Sequence, residues 1–262
     1  MADERPLLVE REGGLVTLTL NRPDRLNALN AETVVALRAV LAELGEEEGV
    51  RALHLRGAGR AFCAGADLQE LGGAREPELV EEALFSGYLP VLEGLRRLPV
   101  PVLCSVQGAA VGIGCSLALA CDLVIASDDA YLGLAFVRIG LAPDGGASLL
   151  VSARAGLGRF LDMAMLGEFV RAREALAWGL ITKVVPAEEL EREAAALAAR
   201  LAAGPTRAYA AIKEQANALA LAPWRAAFEL EARLQAGLSQ TEDVAEGVGA
   251  FLAKRPPRFR GR

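Results

Sequence analysis

Strand-like and helix-like segments alternate over the first two-thirds of this chain, and that alternation constrains its fold more than any other feature. Apolar residues at helical spacing occupy 31–44 and 78–97, and a buried helix is predicted from Gly114 to Cys121. The predicted strands are short and either apolar or alternating, and they lie at residues 7–12, 15–20, 51–56, 100–106 and 123–127. This order predicts an α/β fold with a βα-repeating core.

The last third of the chain has a different pattern, and the change marks the domain boundary that we predict. Residues 131–146 are rich in loop-forming residues. From Ala147 onward the pattern is almost wholly helical. We therefore predict a core over residues 1–200 and a helical region over residues 201–262 that covers the core or mediates oligomerisation.

Composition and charge exclude several classes of protein. With 262 residues, 53% of them hydrophobic, the chain can bury a large core without disulfides or metals. Its four cysteines show no CxxC spacing, and only one histidine is present that could act with them as a metal ligand. We therefore expect reduced thiols and no metal site. The net charge of −6 provides no overall attraction for nucleic acid.

Two segments bear on localisation. The N-terminal sequence MADERPLLVE carries charges where a signal peptide needs an apolar stretch, which favours a cytoplasmic protein. Residues 98–121 carry no charge and are long enough to suggest a membrane span. The prolines and glycines within that stretch instead favour a strand, a glycine loop and a buried helix, so we expect no membrane association.

Two glycine-bearing turns, residues 61–68 and 107–115, are the candidates for chemistry. Each joins a predicted strand to a predicted helix, so glycine would let the backbone approach a ligand while unpaired N–H groups point at it. Two such amides directed at one oxygen would form an oxyanion hole. By spacing alone, tight βα connections explain both turns at least as well. The second turn lacks the full GxGxxG pattern, so it supports a dinucleotide site only weakly.

Four motifs, taken together and in order, resemble those of the enoyl-CoA hydratase/isomerase (crotonase) family over essentially the whole chain. They are Asn21-Arg-Pro with Asn27-Ala-Leu-Asn30, the stretch from Ala61 to Leu68, the stretch from Gln107 to Cys115 with Cys121-Asp122, and the stretch from Phe136 to Gly146. The resemblance implies a spiral of ββα turns followed by helices that build a homotrimer, often paired into a hexamer. The α/β core and helical last third are consistent with that fold.

The resemblance also implies where an acyl-CoA substrate binds. The family's two oxyanion amides fall on Ala66 and Ile113, which lie in the two glycine turns. Further positions that match substrate-binding residues of the family are Arg25, Leu26, Ala64, Asp67, Leu68, Gln69, Phe251 and Lys254. Phe251 precedes and Lys254 begins the basic C-terminal tail, residues 254–262, whose pattern taken alone favours a solvated chain end. The coenzyme A enters as part of the substrate, so no separate cofactor is expected.

Departures from the family pattern favour isomerisation over hydration. Family hydratases use two glutamates to manage water, and those positions here hold Ser116 and Phe136, which cannot act as general bases near neutral pH. A carboxylate is present instead at Asp144, as in the branch that converts 1,2-epoxyphenylacetyl-CoA to oxepin-CoA in phenylacetate catabolism and shifts 3-enoyl-CoA to 2-enoyl-CoA. Asp144 could also be a turn or helix-capping residue. A hydratase and a non-catalytic acyl-CoA-binding protein remain the alternative functions.

Several other chemically capable residues are interpreted as structural. His54 lies on an alternating strand without triad partners, and we expect it to be a core or surface residue. Cys63 and Cys115 flank the proposed oxyanion amides but have no adjacent base, so we interpret them as small buried residues. Asp122 is expected to anchor the strand that follows the buried helix. The walls of the acyl pocket are expected within residues 72–88.

Overall fold

The chain is built around two β-sheets in a computed structural model that describes residues 5–71 and 76–262. The larger sheet has the strand order β1-β2-β3-β4-β6-β9 and the smaller has the order β5-β7-β8. The strands are β1 Leu7–Glu12, β2 Leu15–Leu20, β3 Ala52–Gly57, β4 Val102–Val106, β5 Ala109–Val111, β6 Leu123–Ser127, β7 Tyr131–Gly133, β8 Phe169–Arg171 and β9 Lys183–Val185. Strand β1 pairs antiparallel with β2, and β7 with β8, whereas the other neighbours are parallel.

The helices pack on both sheets and dominate the second half of the described chain. They are α1 Ala31–Glu46, α2 Leu68–Leu71, α3 Pro77–Glu82, α4 Leu89–Arg97, α5 Ile113–Ala120, α6 Ala147–Ala155, α7 Leu157–Leu166, α8 Ala172–Ala177, α9 Leu190–Ala203, α10 Thr206–Ala220, α11 Trp224–Leu238 and α12 Glu242–Leu252. A π-helical turn, Ala83–Tyr88, joins α3 to α4, and a short 3-10 helix occupies Ala135–Ile139.

Burial follows the two faces of the larger sheet. Every residue of β4 is buried, and helices α1, α4 and α5 contribute to the main apolar cluster on one face. Helix α9 covers the other face, where its apolar residues pack on Ala52, Leu103 and Ile125. Because apolar helices cover both faces of a mostly parallel sheet, the predicted α/β class is confirmed.

Local signals predicted several elements correctly. The hairpin of β1 and β2 turns at Gly13-Gly14 as expected. The Asn30 side chain accepts a hydrogen bond of 3.0 Å from the Thr33 backbone N–H and caps α1, which ends at Glu46 rather than at Leu44. Strand β6 has the predicted bounds. In each case the deciding residues are close together in sequence.

The expectation of an almost wholly helical chain after Ala147 is wrong, since β8 and β9 lie within it. Strand β7 similarly lies within the stretch predicted to be loop. Each of these strands has three residues, which is too short to show a period of two. They exist because they pair with distant partners: β9 with β6, and β8 with β7.

The helices after α9 return to the body of the chain. Lys213 of α10 donates hydrogen bonds to the carbonyls of Leu95 and Val100 and pairs at 2.9 Å with Asp122. Helix α11 packs on α3 and α6. The boundary predicted at residue 200 falls within the last turn of α9, which ends at Ala203. In the described ranges, no helix is both long and apolar enough to cross a membrane.

Candidate active site

The two glycine turns lie side by side. The Cys63 N–H donates to the Ala109 carbonyl at 2.9 Å, and the Val111 N–H donates to the Cys63 carbonyl at 3.0 Å. A Cβ atom placed on Gly65 would lie 3.1 Å from the Val111 oxygen and 4.0 Å from the Gly112 Cα. Both glycines have positive φ, 109° and 58°, so only glycine permits this approach without strain.

The residues after these glycines present free backbone amides. Residues 29 and 66 form a parallel bridge in which the Leu29 N–H donates to the Gly65 carbonyl and the Asp67 N–H to the Leu29 carbonyl. That pattern directs the Ala66 N–H away from the bridge. Ile113 is the first residue of α5, where an N–H has no partner within the helix. Within the described chain, neither amide donates a hydrogen bond to protein.

A strained loop supports the first of these turns. Leu26 and Asn27 both have positive φ, 52° and 55°, which is unfavourable for residues with a side chain. The Asn27 side chain holds the loop by donating to the carbonyls of Ala58 and Ala61 at 2.8 and 2.7 Å. In this conformation the Leu26 carbonyl accepts from the Ala64 N–H at 3.0 Å. The strain is thus tied to the segment that presents the Ala66 amide.

Side chains predicted to contact coenzyme A surround this loop. Arg25 is exposed and donates to Gln69 at 2.8 Å, so these two predicted residues contact each other. The buried Asp67 carboxylate pairs at 2.8 Å with Arg22, a residue that the sequence analysis did not select. Its second oxygen accepts from the Gln69 N–H at the start of α2, so the Asp67 side chain braces the turn. Leu68 is half-buried beside it.

Asp144 lies beside the amino-terminal turn of α5. A Cβ atom placed on the next residue, Gly145, would lie 2.9 Å from the Ser116 Cβ and would also clash with the Ile113 side chain. The Ser116 hydroxyl donates to the Asp144 carbonyl at 2.9 Å. The loop carrying the carboxylate is therefore held against the helix that presents the Ile113 amide.

The Asp144 carboxylate is buried and only partly satisfied. Asp144 is 8% exposed, and the Gln235 Nε2 donates a hydrogen bond to its Oδ2 at 2.9 Å. The other oxygen, Oδ1, has no hydrogen-bond partner within the described chain. Burial raises the pKa of Asp144 from 3.8 to about 7, with a smaller contribution from the negative charge of Glu231, while the Gln235 hydrogen bond opposes the shift. Such a carboxyl can take up and release a proton near neutral pH.

Sequence reasoning missed Glu231 and Gln235, which reach this site from α11. Glu231 accepts from the backbone N–H groups of Gly146 and Ser148 at 2.6 and 3.0 Å, and from the Ser148 hydroxyl, at the amino terminus of α6. Burial raises its pKa as well. Both residues lie on the buried stripe of α11 that includes Phe228. A charged and an amide side chain four residues apart on an apolar stripe is the signal that could have identified them.

The two positions that hold glutamates in family hydratases also border the site. Ser116 is fully buried one turn after Ile113, and its hydroxyl donates a hydrogen bond to the Asp144 carbonyl. A Cβ atom placed on Gly112 would lie 3.8 Å from Phe136 Cζ, so the aromatic ring flanks the second turn. Both side chains thus lie near the Ile113 amide, and neither supplies a second carboxylate.

Comparison with known proteins decides the family. The enoyl-CoA hydratase/isomerase family model matches residues 10–262. This chain belongs to the enoyl-CoA hydratase/isomerase family. It is 45% identical over 249 residues to a probable enoyl-CoA hydratase of Rhodobacter capsulatus, covering 95% of each chain. It is 39% identical over 261 residues to the 1,2-epoxyphenylacetyl-CoA isomerase of Escherichia coli, covering 98% of each.

A solved structure supports the same assignment at the level of the fold. The crystal structure of an enoyl-CoA hydratase from Mycobacterium avium subsp. paratuberculosis superposes with a TM-score of 0.88 at 39% identity, covering 97% of this chain and 98% of that one. The fold expected from the resemblance, the crotonase spiral, is therefore confirmed. The enoyl-CoA hydratase/isomerase motifs quoted from the sequence lie within the matched residues.

The C-terminal tail of this family member folds onto α12. Phe251 is 60% exposed near the end of that helix, and Lys254 follows it on the surface with a φ of 53°. Arg255 pairs with Glu246 through both guanidinium nitrogens, at 2.6 and 2.7 Å, and this hydrogen bonding lowers the pKa of Glu246 to about 2. Within the described chain, no hydrogen bond or ion pair joins Phe251 or Lys254 to the site around Asp144. Their contact with coenzyme A stays a prediction.

Of the residues interpreted as structural, His54, Cys63 and Cys115 are buried and Asp122 is half-buried. His54 Nε2 lies 2.8 Å from the Ser105 hydroxyl, and burial lowers its pKa to about 4. Burial raises the pKa of Cys63 and of Cys115 to about 12, so neither forms a thiolate near neutral pH. Asp122 accepts from the Val102 N–H at 2.8 Å and thereby anchors β4, not the strand after the buried helix that the sequence predicted. Of the predicted acyl-pocket walls, residues 72–75 lie outside the described residues.

Proposed function

We propose that this enzyme isomerises acyl-CoA thioesters, shifting the double bond of 3-enoyl-CoA to 2-enoyl-CoA, converting 1,2-epoxyphenylacetyl-CoA to oxepin-CoA, or both. One observation carries the proposal: Asp144 is a buried carboxylate with one unpartnered oxygen, held against the helix that presents the Ile113 amide. The similarity to the Escherichia coli isomerase supports the same branch.

In the proposed reaction, the thioester oxygen accepts hydrogen bonds from the N–H groups of Ala66 and Ile113. Asp144 then removes a proton from C2, and the electron pair of the broken C–H bond delocalises into the thioester as a dienolate. Asp144 returns the same proton to C4, which restores the thioester and leaves the double bond at C2. Donors placed where negative charge develops stabilise the transition state more than the substrate.

The remaining predicted residues would bind the coenzyme A portion of the substrate. Ala64, Ala66, Asp67, Leu68 and Gln69 form one continuous segment, and Arg25 and Leu26 pack beside it. Phe251 and Lys254 would reach the nucleotide end from the tail, supplied by a neighbouring subunit of a homotrimer or a dimer of trimers. We propose no cofactor beyond the coenzyme A that the substrate carries.

Hydration is the second candidate, because the relative from Rhodobacter capsulatus is named a probable enoyl-CoA hydratase. Water addition requires a second group to position or deprotonate water. The carboxylate that lies close enough to raise the pKa of Asp144 is Glu231, and its oxygens already accept three hydrogen bonds at the start of α6. Isomerisation requires no acid–base group besides Asp144, and this difference favours isomerisation over hydration.

The test is a side-by-side assay of the purified protein with 3-enoyl-CoA, 2-enoyl-CoA and 1,2-epoxyphenylacetyl-CoA. We expect turnover of the first or third substrate, and hydration of the second to be slower by about 10²-fold or more, the contribution of one general acid–base group. Asp144→Asn should lose isomerisation by a similar factor. Asp162→Asn applies the same substitution to a half-exposed aspartate of α7 and should retain it.

Each alternative gives a different result in this assay. Rapid hydration of 2-enoyl-CoA would identify a hydratase and show that another group positions the water. Tight binding of all three thioesters without turnover would identify a non-catalytic acyl-CoA-binding protein. Isomerisation by Asp144→Asn within a few-fold of the parent would refute the role of Asp144 as the base.

A further inference from the structure

Gln235 is a buried glutamine whose side chain makes a single hydrogen bond in the described chain, to the Asp144 carboxylate. It is 3% exposed, its Nε2 lies 2.9 Å from Oδ2, and its own Oε1 has no partner. The buried side of α11 around it is otherwise largely apolar, with Phe228, Ala232 and Ala236 in the same stripe. Within the described chain, Asp144 is therefore the one group with which the Gln235 amide forms a hydrogen bond.

Burying half of an amide without a partner is unfavourable. An unsatisfied buried polar group destabilises the folded state, whereas an apolar side chain of similar length at this position would have no such cost. Fold stability alone therefore does not favour glutamine at position 235. A function does explain it, because the one side-chain hydrogen bond of Gln235 reaches the proposed base.

We propose that Gln235 is the positioning residue for Asp144, holding Oδ2 so that Oδ1 is the oxygen that receives the proton from C2 and returns it at C4. This inference rests on the proposed isomerase function. Gln235 lies 91 residues from Asp144 in sequence, so α11 completes a site whose other parts lie on β-sheet loops and α5. The bond holds Oδ2 and leaves Oδ1 without a partner in the described chain.

The same hydrogen bond favours the ionised carboxylate, because its donor stabilises the negative charge. Burial and the charge of Glu231 raise the pKa of Asp144, and the Gln235 amide opposes them. Among the described groups that face Asp144, α11 contributes Glu231 and Gln235, and α5 contributes the neutral Ser116. Removal of the Gln235 donor should therefore raise the pKa of the base further.

The primary test is the pH dependence of kcat for Gln235→Met, which keeps the length of the side chain and removes the donor. The parent rate should rise with pH through about 7 as Asp144 ionises. In the variant this rise should move upward by about one pH unit, because a hydrogen bond to an ionised group is worth about one pKa unit or more. At pH 7 this shift lowers the ionised fraction of Asp144 from about one half to about one tenth, so the rate should fall by about 5-fold or more, with KM nearly unchanged. Gln215→Met, at an exposed position of α10, is the matched control and should leave the profile unchanged.

A second variant keeps the test decisive if Gln235→Met does not fold. Gln235→Glu can donate to Asp144 only while its own carboxyl is protonated, so its rate should rise and then fall with pH instead of reaching a plateau. The double variant Asp144→Asn with Gln235→Met should be no slower than Asp144→Asn alone, since a residue that acts through Asp144 has no effect without it.

The outcomes separate this inference from the function on which it rests. If Asp144→Asn retains isomerisation, the proposed function fails and the role of Gln235 fails with it. If Asp144→Asn loses activity while Gln235→Met keeps the parent rate and pH profile, only the positioning role is refuted. An additional loss in the double variant would show that Gln235 acts on the substrate or the fold independently of Asp144.

Discussion

Replacing the proposed base should make this protein more stable at alkaline pH while removing its activity. Asp144 is buried with a pKa raised from 3.8 to about 7, so the folded protein binds more protons than the unfolded chain between about pH 4 and pH 7. Because the folded-state pKa is the higher one, stability contributed by this group is present at acidic pH and is lost as the pH rises through about 7. Asp144→Asn removes the charge and with it this loss.

The size of the effect follows from the pKa difference. One pKa unit corresponds to about 1.4 kcal/mol, so the pKa difference lowers the stability of the folded state by about 4 kcal/mol at pH 8, where the carboxyl is ionised in both states, and by about 1–2 kcal/mol at pH 5, where it is ionised mainly in the unfolded chain. The new amide introduces an opposing cost, because its NH2 group takes the place of the unpartnered Oδ1 and leaves a buried donor unsatisfied, at about 1–3 kcal/mol. That second cost does not depend on pH.

The assay is urea denaturation of the parent and of Asp144→Asn at pH 5 and at pH 8, with isomerase activity measured on the same preparations. The stability of the variant relative to the parent should increase by about 2–3 kcal/mol between pH 5 and pH 8, whatever the constant cost of the amide. An equal difference at both pH values would refute the raised pKa of Asp144. Asp162→Asn, the same substitution at a side chain that is 54% exposed, is measured in parallel as the control for the substitution itself.

Three further substitutions test other parts of the structure. Gly112→Ala places a side chain at a φ of 58° and should displace the Ile113 N–H, lowering kcat by about 10²–10³-fold in steady-state assays; an unchanged kcat would show that this amide is not an oxyanion donor. Lys213→Met leaves the half-buried Asp122 with Arg96 as its cationic partner and should cost about 1–3 kcal/mol in urea denaturation, whereas an unchanged free energy of unfolding would contradict the role of the Lys213 pair. Ser116→Ala removes the 2.9 Å hydrogen bond to the Asp144 carbonyl and should lower stability by about 1 kcal/mol; an unchanged midpoint would indicate that Gly145 packing alone holds the loop.

The parts of the fold and site that could be predicted are those fixed by neighbouring residues. The Asn30 cap, the Gly13-Gly14 hairpin and the two turns that place glycine before Ala66 and Ile113 each depend on a few consecutive side chains. The spacing of those turns did not show that they touch. That knowledge came from the family resemblance, and the structure adds the bridge between residues 63 and 110 that joins them.

The parts that could not be predicted are those that depend on distant partners. Strand β9 forms because it pairs with the edge of β6, and a pattern over three residues cannot predict a partner so distant in sequence. The partners of Asp144 are similarly distant, since α11 begins 80 residues later in the chain. From the sequence, α11 is an amphipathic helix for which covering the core explains the pattern. The packing of α11 shows that two of its polar residues are buried and directed at one loop.

This arrangement explains how a single loop can hold a buried carboxyl group with a raised pKa and an unpartnered oxygen. Gly145 and Gly146 adopt positive φ values of 70° and 74°, which glycine accommodates without strain, but the buried and unsatisfied Asp144 Oδ1 makes the loop unfavourable in isolation. Contacts from outside the loop offset this cost: Ser116 holds its backbone from α5, while Glu231 binds the N–H groups of Gly146 and Ser148. Gln235 and Glu231 lie four residues apart, so one face of α11 fixes both the loop that carries the proposed base and the orientation of its carboxylate.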